Sequence, residues 1–136
     1  MTIQESTNLE FIRGILRDFV AGNYDAVEHA FDENIDWFGE VRWLGGPELP
    51  FTGAATGKQE VMETFKSFLA TVEYQGHLRP TSFVAQGNRV VATGLDLRMH
   101  KPTGQQTENR WTMIWTIENE KVTRFRILED TVEKLG

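Results

Sequence analysis

The sequence predicts an α+β domain in which helices near the N-terminus are followed by antiparallel strands. Before residue 72, apolar residues recur mainly every three or four positions, as on one face of a helix. After residue 72 they alternate with polar residues, and short Gly- and Asn-containing turns separate the alternating segments. The 136 residues are the length of one ordinary domain, residues 1–136. Helices and hairpin-linked strands in separate parts of a chain are typical of α+β proteins, not of parallel α/β proteins.

Three segments have helical patterning. The first helix carries its apolar residues at steps of three and four: Leu9, Ile12, Leu16 and Phe19. We expect Ser6 or Thr7 to cap its start and Gly22 to end it. A short second helix is predicted at residues 25–31 and a third at residues 58–71.

Strands are predicted between and after these helices. Residues 35–38 form a short β-like segment, and a loop rich in Gly and Pro follows at residues 43–53. Polar and apolar residues alternate along residues 72–85, and Pro80 interrupts this pattern. A proline in such a segment indicates an edge strand or a bulge. The last three strands are predicted at residues 89–100, 109–117 and 121–129.

Composition excludes several classes of chemistry. The chain has no cysteine, so thiol catalysis, iron–sulfur clusters and cysteine zinc sites are ruled out. A net charge of −6 argues against nucleic acid or an anionic membrane as partner. His29, His77 and His100 are too far apart for a local metal motif, and no phosphate-loop or dinucleotide motif is present, so we expect no metal and no cofactor. Without a signal-like N-terminus or a long apolar run, we expect a cytoplasmic protein.

The faces of the last two strands separate apolar from charged residues. In the 109–117 strand, Trp111, Met113 and Trp115 share one face, which either fills a core or lines an apolar pocket. In the last strand, Phe125 and Ile127 share a face. The acidic residues at 118–120 and 129–130 are expected to be solvated.

The 89–100 strand allows two interpretations. Taken alone, its odd-numbered face, which includes Leu95 and Leu97, looks buried, and Asp96 and Arg98 form an ordinary surface pair. If the sheet curves around a ligand cavity, the even-numbered face turns inward instead. Asp96 and Arg98 then form a polar pair inside an apolar cup, able to position a water molecule or polarise an oxygen.

The order of these segments resembles the SnoaL-like and ketosteroid isomerase-like branch of the nuclear transport factor 2-like superfamily. The resemblance covers about residues 5–132. It rests on residues 19–25 (FVAGNYD), 31–37 (FDENIDW), 87–91 (GNRVV) and the strand from Lys121 to Thr131. It implies a cone-shaped α+β fold, with helices covering a strongly bent sheet around an apolar pocket, and homodimers that form through the outer face of the sheet.

The resemblance also implies which residues line the pocket and bind substrate: Ile15, Phe19, Trp37, Phe65, Leu69, Trp111, Met113, Trp115, Phe125 and Ile127. The loop at residues 43–53 would lie at the pocket mouth as a lid. The catalytic set of ketosteroid isomerases does not carry over. Trp37, Ile15 and Met113 stand where those enzymes have an Asp base, a Tyr and a protonated Asp. Steroid isomerisation by that mechanism is therefore not expected.

Three functions remain open. The first is an enzyme that performs isomerase, cyclase or hydrolase-type acid/base chemistry on a small apolar molecule with an oxygen function. Asp96 would then be the base or position water, Arg98 would orient it, and His100 would lie at the polar rim. The second is a binding module without catalysis, and the third is a dimerisation or interaction domain.

Overall fold

The computed structural model describes residues 1–42, 53–76 and 78–135. Within these residues the elements in chain order are α1 (Ile3–Val20), α2 (Tyr24–His29), β1 (Phe31–Arg42), β2 (Gly53–Thr56), α3 (Lys58–Thr71), β3 (Val72–Tyr74), β4 (Arg79–Gln86), β5 (Arg89–His100), β6 (Gln106–Glu118) and β7 (Lys121–Leu135). The predicted loop at residues 43–53 lies, apart from Gly53, outside the described residues, and so does His77.

Helix α1 begins earlier than the sequence predicts. Thr2 caps it by accepting a hydrogen bond from the backbone N–H of Glu5 at 3.0 Å, and the Glu5 carboxylate accepts one from the N–H of Thr2 at 2.8 Å. This reciprocal capping box satisfies two N–H groups that the helix leaves unpaired, so the cap predicted at Ser6 or Thr7 is wrong. Gly22 follows the helix with φ of +79°, and the predicted end is confirmed.

The described strands form one mixed sheet in the order β2-β1-β7-β6-β5-β3, with β4 also paired to β5. Strands β1 and β7 run parallel, and every other pair is antiparallel. The single strand predicted at residues 72–85 is two strands, and the irregularity expected near Pro80 is a register shift between Pro80 and Ser82. The sheet is strongly curled, and the helices pack on its concave side, which confirms the α+β cone.

The core occupies the concave side of the sheet. Helix α1 contributes Ile12 and Ile15, which pack with buried aromatic residues of β1, β6 and β7: Trp37, Trp111, Trp115 and Phe125. Gly94 of β5 leaves room for one of these rings, because a Cβ atom there would clash with the indole of Trp111 and the backbone oxygen of Arg79. No helix among the described residues is both long and apolar enough to cross a membrane.

The curl of the sheet decides which face of β5 is buried. The even-numbered residues are inside, and Asp96, Arg98 and His100 are only 1–2% exposed, whereas the odd-numbered residues after Arg89 are half-buried. The expectation from the strand taken alone, with the odd face buried and Asp96 and Arg98 on the surface, is therefore wrong. The part of the alternative that concerns orientation is correct, because the even-numbered face is the concave one and the charges of Asp96 and Arg98 compensate each other there.

Candidate functional site

An apolar cavity of about 60 Å³ lies between the helices and the concave side of the sheet. Helix α1 contributes Ile15 and Phe19, and α3 contributes Phe65 and Phe68. This volume holds a few water molecules, whereas pockets for drug-sized ligands are several times larger. A ring-sized ligand therefore requires movement of the side chains around the cavity.

Eight of the ten residues predicted to line the pocket do line this cavity. They are Ile15, Phe19, Trp37, Phe65, Met113, Trp115, Phe125 and Ile127. Leu69 does not, because it packs beside the small cluster of Phe68 and Val72. Trp111 does not either, because its indole fills the space that Gly94 leaves. That these residues bind a ligand stays a prediction.

Glu129 is a cavity residue that sequence reasoning missed. It was expected to be solvated, but it is only 5% exposed and lines the cavity. The signal was present in the strand, because Phe125, Ile127 and Glu129 alternate onto the same face of β7. Tyr74 of β3 is a second polar residue of the wall that the sequence analysis did not identify.

Glu129 belongs to a buried ionic cluster with the two residues predicted to be catalytic. The guanidinium of Arg98 donates to both carboxylate oxygens of Asp96, from Nε at 3.0 Å and from Nη2 at 2.6 Å. Nη2 of Arg98 also forms an ion pair with Oε1 of Glu129. Asp96 and Arg98 point inward but do not line the cavity, so within the cluster Glu129 is the group that reaches it.

Neighbouring polar residues hold the Asp96 carboxylate in place. Asn109 donates from Nδ2 to Oδ1 of Asp96 at 3.0 Å and to Oγ1 of Thr107 at 3.0 Å. Thr131 donates to Oδ1 of Asn109 at 3.2 Å. Strand register places these residues side by side, since Asn109 pairs with Asp96 on one side and with Thr131 on the other. The cluster is thus fixed by three adjacent strands.

The predicted polar rim residue, His100, lies at the end of β5. Its ring nitrogen Nδ1 is 2.9 Å from the hydroxyl of Thr103, and the residue is buried. His100 does not line the cavity. The position of His100 therefore does not support a direct contact with a ligand.

Burial determines the electrostatics of the cluster. Burial raises the pKa of Glu129 to about 7; the Arg98 charge opposes this rise, and the Asp96 charge adds to it. Burial would lower the pKa of Arg98, but Glu129, Tyr74 and Asp96 outweigh it and raise that pKa, so the guanidinium stays charged. Burial also raises the pKa of Tyr74, whose phenol stays protonated at physiological pH. The Glu129 carboxyl therefore exchanges a proton near neutrality.

Two further polar groups of the wall have no hydrogen-bond partner. The indole N–H groups of Trp37 and Trp115 are buried and have no acceptor among the described residues. A buried donor without an acceptor costs about 1–3 kcal/mol. The indole N–H of Trp111 is also buried without an acceptor among the described residues, but Trp111 does not line the cavity. The described residues contain no group of three or more acidic or histidine side chains able to hold a metal ion.

Comparisons with known proteins agree with this architecture. The model of the SnoaL-like domain family matches residues 12–125. An NTF2-like protein from Burkholderia xenovorans has 25% identity and a TM-score of 0.77, covering 97% of this chain and 94% of that one. A protein from Rhodopseudomonas palustris, provisionally named an isomerase, has 21% identity and a TM-score of 0.72, with 89% and 87% covered.

A third structure comes from Mesorhizobium loti and is provisionally named a SnoaL-like polyketide cyclase. It has 16% identity and a TM-score of 0.69, covering 93% of this chain and 98% of that one. The likeness to the second and third structures shows the fold alone. A search of curated proteins gave no significant match. The family match spans most of the chain, and the chain therefore belongs to the SnoaL-like domain family, with an NTF2-like fold.

Proposed function

We propose that this protein binds a small, mainly apolar molecule with an oxygen function in its cavity, and that Glu129 transfers a proton to or from that molecule. The observation that carries the proposal is the position of Glu129, whose carboxyl group is buried in the cavity wall. Among the described residues, no other carboxyl group lines the cavity. The reaction class is acid/base chemistry of the isomerase, cyclase or hydrolase type.

The pKa of Glu129 supports both directions of proton transfer. At about 7, the acid and its conjugate base are both populated near neutral pH. The ionised carboxylate would remove a proton from the carbon beside a carbonyl group, and the C–H electron pair would move to form an enolate. The protonated carboxyl would then return the proton to the same or another carbon of the ligand.

Asp96 and Arg98, predicted from the sequence as catalytic, are positioning residues in this proposal. Arg98 is held by the two hydrogen bonds that it donates to Asp96, and it contacts Glu129, so it fixes the Glu129 carboxylate and opposes the rise of its pKa. Neither residue lines the cavity. Their removal should therefore move the pH profile of the reaction and not only its maximum rate.

Hydrogen exchange on a simple ketone tests the proposal. 2-Indanone has weakly acidic hydrogens beside its carbonyl group, and their replacement by deuterium in D₂O is followed by NMR. We expect the protein to accelerate this exchange and Glu129→Gln to reduce the acceleration about 100-fold or more. The control is Glu133→Gln, because Glu133 is exposed on the same strand. Equal acceleration by the Glu129→Gln variant would exclude Glu129 as the proton-transfer group.

Binding without turnover is the second candidate. It is favoured by the composition of the wall, which is apolar or aromatic apart from Glu129 and the Tyr74 phenol. In that case 2-indanone would shift the NMR signals of cavity residues, but the protein would not accelerate the exchange of its hydrogens. The same samples therefore separate the two candidates.

We also propose that the protein forms a homodimer through the outer face of the sheet. Four large apolar residues there are 40–60% exposed: Phe38, Val84, Leu128 and Val132. Phe38, Val84 and Leu128 each lie between inward-facing neighbours on their strands, and Val132 follows the buried Thr131. Light scattering should give the mass of a dimer for the wild type and of a monomer for Leu128→Glu; a monomeric wild type would contradict this assembly.

A cytoplasmic location and the absence of nucleic-acid or membrane partners stay predictions.

A further inference from the structure

A groove of about 410 Å³, the α1–β4 groove, opens to solvent between helix α1 and strand β4. On one side it is lined by residues of α1 at steps of three and four: Arg13, Leu16, Arg17 and Val20. On the other side it is lined by Leu78, Pro80 and Phe83. Leu16 and Leu78 also line the apolar cavity, so they lie between the two spaces. The volume of the groove is within the range of small-ligand sites.

The charged residues that line this groove are both arginines, in a chain with a net charge of −6. Arg13 and Arg17 are exposed and stand one helical turn apart on the same face of α1. Like charges at this spacing repel each other, and an anion bound between them relieves the repulsion. Among the described residues, no carboxylate lines the groove.

The two arginines differ in how far the protein neutralises them. Nη1 of Arg13 forms an ion pair with Oε1 of Glu10 at 2.7 Å, and its guanidinium carbon lies 5.0 Å from the centre of the Phe83 ring. The side chain of Arg17 forms no ion pair or hydrogen bond with any described residue. It extends back along α1 over Gly14, where a Cβ atom would lie 3.7 Å from Nη2. Arg17 is therefore a cation of the groove wall that lacks an anion among the described residues.

The apolar part of the groove continues beyond the two arginines. Val20 follows them along α1 and is 46% exposed, and Phe83 is half-buried on the facing strand. The cations therefore lie toward one end of the groove, and apolar surface extends from them along α1. This arrangement suits a molecule with an apolar body and one anionic group.

We propose that the α1–β4 groove binds a small aromatic carboxylate, with the ring on the apolar wall and the carboxylate at Arg17. A guanidinium stays charged and donates two parallel hydrogen bonds that match the two oxygens of a carboxylate. Two arginines in an acidic chain are too few for nucleic acid or an anionic membrane surface. Glu129 does not line this groove, so the inference goes beyond the proposed function and does not depend on it.

Two probes with the same ring system test the inference. 2-Naphthoate carries a carboxylate where 2-naphthamide carries a neutral amide. In NMR titrations, 2-naphthoate should bind about 5-fold more tightly than 2-naphthamide, as expected for an exposed charge pair. It should also move the Nε–H signal of Arg17. Raising the NaCl concentration from about 50 mM to about 500 mM should remove most of this preference, because salt screens exposed charges.

Variants locate the carboxylate. Arg17→Gln should reduce the preference for 2-naphthoate to less than about 2-fold. Val20→Asp should do the same, because it adds a carboxylate to the groove, and both replaced residues are exposed, so the fold tolerates the changes. The control is Arg89→Gln, which removes an exposed arginine outside the groove and changes the net charge equally. The preference should persist in Arg89→Gln and in Glu129→Gln.

Several results would overturn the inference. They are equal affinity for the two probes in the wild type, binding of neither probe, an unchanged preference in Arg17→Gln, and an equal loss in Arg89→Gln. Loss of the preference in Glu129→Gln would place the carboxylate at the cavity and overturn the inference as well. Inorganic sulfate that competes as strongly as 2-naphthoate would exclude selection for an apolar body. Binding to phosphatidylglycerol vesicles without binding of 2-naphthoate would make the groove a membrane contact instead.

Discussion

Replacing Glu129 by Gln should remove a specific pH dependence of stability. The ordinary pKa of this carboxyl is 4.5, and burial in the folded protein raises it to about 7. Between these values the folded state holds a proton that the unfolded state has released. The stabilisation is therefore fully present below about pH 4.5 and is lost as the pH rises through 7. Since one pKa unit corresponds to about 1.4 kcal/mol, the shift amounts to about 3 kcal/mol.

Urea unfolding between pH 4.5 and 8.5 measures this contribution. Glutamine cannot ionise, so the free energy of unfolding of the wild type relative to Glu129→Gln should fall by about 3 kcal/mol as the pH rises across that range. The comparison cancels the other titrating groups, and Glu133→Gln should follow the wild type because Glu133 is exposed. If the difference in free energy of unfolding between the wild type and Glu129→Gln stays constant with pH, the burial of an ionisable Glu129 is refuted.

Three further variants probe the surroundings of the site. Gly94→Ala should destabilise the fold by about 1–3 kcal/mol in thermal unfolding, because the new methyl group clashes with the indole packed there, and a stable variant would contradict this packing. Asn109→Ala should cost about 1–3 kcal/mol in urea unfolding by removing a buried donor from Asp96, whereas Asn109→Asp would add a third carboxylate and cost more. Arg98→Met should move the pKa of Glu129 above about 7 in carboxyl NMR, since the opposing charge is removed, and a lower value would contradict the proposed role of Arg98.

The fold was predictable because its signals are local and redundant. The three- and four-residue spacing in α1 and the alternation in β6 and β7 each depend on one element, and turns separate the strands. The start of α1 was missed because Thr2 and Glu5 form a capping box ahead of the apolar residues. The parallel pairing of β1 with β7 joins distant parts of the chain, so no local pattern reveals it.

The inner face of β5 was harder to predict because it is the less apolar of the two faces. It carries Gly94, Asp96, Arg98 and His100. Asp96 and Arg98 neutralise each other, and they are bound from the neighbouring strands by Asn109 and Glu129. Glu129 was missed for the same reason, since an acidic residue near a strand end is usually solvated. Its ion-pair partner is Arg98 of β5, 31 residues earlier in the sequence.

The most direct test of the central proposal is the ¹³C NMR titration of the Glu129 carboxyl group, first alone and then with 2-indanone bound. We expect a pKa of about 7 in the free protein. A ligand beside the carboxyl group displaces water and should raise that pKa further, and the Glu133 signal should not move. Titration near the ordinary value of 4.5, unchanged by the ligand, would contradict both the buried acid and its place in the cavity.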